Sequence, residues 1–226
     1  MTSFIRAAKP ENNGYKIKVD ERKPKMTNNV DQYKSQVLAK IDRLLTEFAE
    51  GKVSREQFHA IYEHYNNQLN LAESLDQSAN EPADENTPGA TIAIRHAHMG
   101  KALGMMIYHN KSGTFVDTLG DFDVETSALA PTLNDFSLMM DAGEFIDRRV
   151  LKQRDQRWLL FAPGKFTTAI VLFHHEPSPQ QMREVERLHH DFEQANAAAL
   201  RTSGRVNNGR LAYPFIIILQ KKLKLT

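Results

Sequence analysis

"FTTAIVLFHHEPSPQQMREVERLHHDFEQAN", residues 166–196, decides how the second half of the chain folds. Phe166 to Phe173 form a near-continuous apolar run, the pattern of a strand buried on both faces. Ser178 then stands as an N-cap, with Pro179 at the first helical position and Gln181 at the third. Met182, Val185, His189 and Phe192 recur on one helical face, which Ala195 and Ala199 extend. The stretch predicts a strand, a short turn and a capped amphipathic helix. Residues 173–196 also hold four of the chain's nine histidines, which raises a metal or catalytic reading. Geometry weighs against that reading. His189 lies on the apolar stripe while His190 points elsewhere, near Glu186, because adjacent helical residues do not share a face. His174 and His175 close the strand, where neighbours point to opposite sides. The one His-x-His spacing, His96 and His98, falls in a segment without a clear period. The histidines therefore read as architecture.

Working outward, "LGMMIYH" (103–109) and "TFVDTL" (114–119) form a hairpin around the turn "NKSG". A helix follows over about 127–141, with Leu129, Leu133, Phe136 and Met140 on one face and Pro131 near its first turn. "FIDRRVL" (145–151), "RWLLFA" (157–162) and the strand from Phe166 come next, joined by connections of hairpin length. The element order is β-β-α-β-β-β-α. The first and fifth strands are the most apolar and the second and third the most charged. Apolar strands belong in the middle of a sheet and charged ones at its edges, which predicts the order 2-1-5-4-3.

Toward the N-terminus, Tyr33, Val37, Ile41, Leu44, Leu45 and Phe48 make a helical stripe that stops at Gly51. Ser54 and Gln57 form a capping box, with Val53 and Phe58 at the staple positions. Phe58, Ile61, Tyr62, Tyr65 and Leu69 form a second stripe. The expected architecture is therefore α+β: an N-terminal helical hairpin plus a five-stranded antiparallel sheet with helices. The chain divides into a disordered tail (1–29), the hairpin (30–73), a linker (74–90), the sheet domain (91–202) and an apolar, basic C-terminal segment (203–226). "TIAIRHAHMGKALG" reads as a leading helix or as an irregular lead-in. "RLAYPFIIILQKKLKLT" reads as a strand or docked helix covering the sheet, or as a tail for a membrane surface or partner.

The stretch "IDRLLTEFAEGKVSREQF" resembles a SHOCT-type module, through Leu44, Leu45, Gly51, Val53, Ser54, Glu56, Gln57 and Phe58. The resemblance covers about 35 residues and implies a docking or oligomerisation role. Phe58, Tyr62 and Tyr65 are the candidate partner contacts. Residues 91–202 resemble the profilin-like architecture of roadblock and longin domains in their element order and closing strand-turn-helix. That resemblance implies a protein-binding scaffold that forms homodimers and docks on small GTPases. The third strand, with Asp147, Arg148 and Arg149, is the candidate pairing edge.

The 226 residues carry a net charge of +1, which gives no pull toward nucleic acid. There is no cysteine, so thiolate chemistry and Cys-ligated zinc are excluded, and a cytoplasmic location is the simplest expectation. No phosphate-binding glycine loop and no G-x-S-x-G nucleophile elbow is present. Asp121, Asp123 and Glu125 cluster in a loop after the second strand, where an acidic surface loop and a cation site both fit. Trp158, on the fourth strand, reads as a packing residue or as an exposed binding residue. The sequence therefore predicts no catalytic residues, no cofactor and no metal. The alternative from a different class is a ligand-sensing or metal-dependent enzyme domain that uses the histidine-rich segments.

Overall fold

The computed structural model describes residues 23–77, 88–201 and 206–215. Three helices come first: α1 (Lys23–Ala49), α2 (Arg55–Gln77) and α3 (Pro88–Ala97). A sheet module follows: β1 (Ala102–His109), β2 (Thr114–Gly120), α4 (Thr126–Asp141), β3 (Arg149–Lys152), β4 (Trp158–Pro163), β5 (Thr167–Phe173) and α5 (Pro179–Ala195). The short α6 (Ala197–Leu200) and a 3-10 turn at Asn208–Arg210 complete the described chain.

The fold is α+β, and the five strands are antiparallel in the expected order β2-β1-β5-β4-β3. Both central faces are apolar because alternate residues of the same strands serve opposite layers. Leu160, Val171, Phe173 and Ile107 face α5, where Val185, Leu188 and Phe192 meet them. Leu159, Phe161, Ile170 and Leu172 face α4, where Leu129, Leu133 and Phe136 meet them. The α5 capping box forms as its sequence requires, with Ser178 and Gln181 each accepting from the other's backbone N–H.

Several boundaries differ from the sequence reading. Helix α1 begins at Lys23, inside the stretch expected to be a tail. A helix once nucleated extends cheaply, and Pro24 falls in the first turn, where proline is tolerated. Residues 1–22 lie outside the described residues. Helix α2 runs to Gln77 and α3 starts at Pro88, so the expected linker 74–90 is helical at both ends.

Strand β3 is shorter than the expected 145–151. The Asp147 carboxylate accepts the Arg148 N–H at 2.7 Å, a local bond that competes with the ladder. Phe145, just before it, is 88% exposed. Residues 206–215 of the C-terminal segment are irregular chain apart from the 3-10 turn and dock over α5. Asn196 holds Ala212 with two hydrogen bonds of 2.8 Å, and Phe215 is fully buried against Phe192. "IIILQKKLKLT", the remainder of that segment, lies outside the described residues.

Helix α3 resolves the open reading of residues 91–97 as a helix, and it packs on the hairpin. Ile94 joins the hairpin core of Val37, Leu44, Val53, Ile61 and Tyr65. Arg95 pairs with Glu47 of α1 at 2.6 Å, and its carbonyl accepts from Gln57 of α2. One side of the hairpin is thereby covered.

Candidate functional site: the hairpin and its joint to the sheet

The opposite side of the hairpin is open. On α1 the helical period sets Leu38, Leu45 and Phe48 away from α3. On α2 it does the same for Phe58 and Tyr62. Phe48 meets Phe58 with ring centroids 4.6 Å apart, and Phe58 stacks on Tyr62 at 5.7 Å. Leu38 and Leu45 are about half exposed, and Phe48 and Tyr62 somewhat over a third. Two of the three expected partner contacts, Phe58 and Tyr62, therefore belong to this face. Tyr65 does not: it is buried in the hairpin core and is a packing residue.

The hairpin meets the sheet at the connection between β5 and α5. Glu176, in the β5–α5 connection, is nearly buried. It accepts Arg55 Nε at 2.8 Å, Arg55 Nη2 at 2.7 Å and the Glu56 backbone N–H at 3.2 Å. The contact is reciprocal, because the Glu56 carboxylate accepts the Glu176 backbone N–H. A carboxylate at the first turn of α2 also meets unpaired N–H groups and the positive end of the helix dipole. Gly51 (φ +72°) turns the chain between α1 and α2 hard against α5. A Cβ there would come within 2.8 Å of the Pro179 ring, and the Gly51 carbonyl accepts the Gln180 N–H.

Glu56 sits at the centre of this joint. Burial works to raise its pKa. The Glu176 N–H, the Lys152 ammonium at 3.1 Å and the nearby Trp158 indole outweigh burial and hold it below the ordinary glutamate value. Trp158 Nε1 is buried without a hydrogen-bond partner. The Trp158 ring packs under Lys152 Nζ, 5.4 Å from its centroid.

The histidines have separate fates. His189 is buried on the α5 stripe, as its spacing indicated. Its Nε2 lies 2.8 Å from Thr167 Oγ1, and burial pushes its pKa down to about 4. His190 points away and pairs with Gln194 rather than Glu186. His109 is buried between Ser112 and the Leu200 carbonyl. His174 and His175 do not diverge as expected. They lie beyond the last strand residue, where pleating no longer sets direction, and their rings are 4.4 Å apart. His98, just past α3, is 5.6 Å from His175. Burial, followed by the charges of His174, His98 and Lys101, lowers the His175 pKa against an opposing pull from Glu56. Among the described residues, no group of three or more His, Asp or Glu side chains is placed to hold a metal ion.

The acidic loop after β2 is tied to the β3–β4 turn through Asp123. Asp123 and Asp155 both pair with Arg157, whose guanidinium holds Asp123 below the ordinary aspartate value. At the sheet edge Arg148 pairs with Glu186 of α5, and Arg149 pairs with Asp135 and stacks over Phe136 of α4. Asp147 is exposed beside them. Sequence reasoning missed Glu176 and Arg55. Their separation of 121 positions leaves no periodic signal, and only the acidic residue one turn before a capped helix hinted at them.

The chain matches no protein-family model and no curated protein. Among the described residues, no helix is long and apolar enough to cross a membrane.

Proposed function

We propose that this chain is a non-enzymatic protein-interaction scaffold, in which a roadblock- or longin-like sheet module carries a SHOCT-like hairpin that docks a protein partner. One observation carries the reading: the hairpin is covered by α3 on one side and presents Leu38, Leu45, Phe48, Phe58 and Tyr62 on the other. A contiguous apolar face of this kind on a charged helical unit fits a protein surface better than a small solute. The roadblock and longin resemblance points to a small GTPase as the partner. The same resemblance, with the exposed Leu138 and Phe145 beside the β3 edge, points to self-association there.

A photo-crosslinking residue at Leu45 in the native host tests the docking face. The expected result is one discrete protein adduct, absent when the crosslinker stands at the exposed Lys111 on the far hairpin turn of the sheet. Equal labelling at both positions would overturn the reading.

A further inference from the structure

The hairpin–sheet joint is held largely by charged side chains, and histidines line it from both sides. His98 follows α3 on the helical side, while His174 and His175 follow β5 on the sheet side. We propose that this joint is a pH-dependent latch: protonation of His175, which lies between His98 and His174, releases the helical unit while the sheet module stays folded.

The surrounding charges set the direction. From the α1–α2 turn come Glu50 and Lys52, paired with each other at 2.5 Å. Helix α2 brings Arg55 and Glu56, and the lead into β1 brings Lys101. Strand β3 brings Lys152, the β5–α5 connection Glu176, and α5 brings Arg183, whose Nη2 reaches the Glu50 carbonyl. Cations thus outnumber carboxylates at the joint before any imidazole takes up a proton. Glu56 lies 3.8 Å from His175 Nδ1 but is already engaged by Lys152 and the Glu176 N–H. A proton on His175 is opposed by burial and by the neighbouring His174, His98 and Lys101.

The linkage has the matching sign. The docked pKa of His175 is below its ordinary value of 6.5, so the undocked state binds more protons in that window. Docking is complete above pH 6.5 and weakens as pH falls below it.

The single tryptophan of the chain reports the event. Trp158 is buried beside Glu56, and release of α2 exposes the indole to water. The test uses the full chain between pH 7.5 and 5.0, reading Trp158 emission and amide exchange corrected for intrinsic rate. The expected result is a red shift with faster exchange at Glu56 and Glu176, whose N–H groups bond across the joint. That exchange should rise by about tenfold per unit of pKa difference between the docked and undocked states, while Leu160 and Val171 stay protected. H98Q/H174Q/H175Q should abolish the change, and E176A should produce the released state already at pH 7.5. Loss of protection at Leu160 together with Glu56, an unchanged Trp158 and Glu56 between pH 7.5 and 5.0, or the same transition in the triple variant would each overturn the latch.

Discussion

Two buried carboxylates fasten two parts of this molecule, and their settings differ. Glu193 on α5 accepts the N–H groups of Lys165, Phe166 and Thr167 and the Thr167 hydroxyl, all within 2.7–2.9 Å. It clamps the β4–β5 turn to the helix inside one module. Gly164 leaves the room for it, since a Cβ there would lie 2.7 Å from the Glu193 carboxyl and from His189. Glu176 accepts from a residue that is itself 69% exposed, and it does so between modules. The donors to Glu193 are neutral backbone groups, the Thr167 N–H among them fully buried. A partly solvated arginine among histidines holds conditionally.

The largest effect is therefore expected from Glu193→Ala. It strands the buried N–H and hydroxyl of Thr167 and the half-buried Phe166 N–H, and each one left without an acceptor costs about 1–3 kcal/mol, so the loss should approach about 4 kcal/mol. Urea unfolding of the full chain measures it. A loss below about 1 kcal/mol would erase the distinction between the two carboxylates.

The next effect is on pH dependence within the sheet module. His189 has its folded pKa lowered to about 4, so the unfolded state binds more protons between pH 6.5 and about 4. Its contribution is intact above pH 6.5 and is lost as pH falls through that range, by up to about 3 kcal/mol. Urea midpoints from pH 7 to 4 should drop more steeply in the parent than in His189→Gln. Equal slopes would assign the acid sensitivity to other groups.

The comparison also explains what the sequence could reveal. Strand order followed from local composition, because a strand buried on both faces must be apolar along its length, as Thr167–Phe173 is. The Ser178 and Gln181 box was equally local. The β3 start was misplaced because Asp147 captures a backbone N–H that the ladder pattern assumes is free. A helix at α3 was one of two open readings, but its place on the hairpin rather than in the sheet domain was illegible, since Ile94 and Arg95 gain meaning only once Val37, Glu47 and Gln57 are brought beside them. The candidate site was half legible. Periodicity puts Phe58, Tyr62 and Tyr65 on one helix, but the partner helix decides which of them is buried. Glu176 and Arg55 carry no periodic signature at all.

A smaller effect is expected from Phe58→Ala. Full burial would imply a cost of about 3 kcal/mol, but Phe58 is only partly buried, between Phe48 and Tyr62. The expected loss is about 1–2 kcal/mol, read as a lower thermal midpoint of the full chain. A loss near 3 kcal/mol would mean that the open face is covered in solution.

The smallest effect on stability, and the most informative about function, concerns Leu45→Glu on the hairpin and Leu138→Glu beside the sheet edge. Leu45 is 46% exposed and Leu138 68%. Neither fills a core, so each change should move the unfolding free energy by no more than about 0.5 kcal/mol. Their effects on association should differ. If β3 and the neighbouring α4 form a two-fold contact, Leu138 lies close to its symmetry mate, and two glutamates there would desolvate like charges. Light scattering on the full chain at tens of micromolar should then give a dimer that Leu138→Glu dissolves and Leu45→Glu leaves intact. The reverse pattern would place self-association on the hairpin and remove the open face as a site for another protein. A monomeric parent would break the self-association proposal. It would also leave Arg148–Glu186 and Arg149–Asp135 as the reason, two ion pairs that turn the charges of the edge inward onto its own helices.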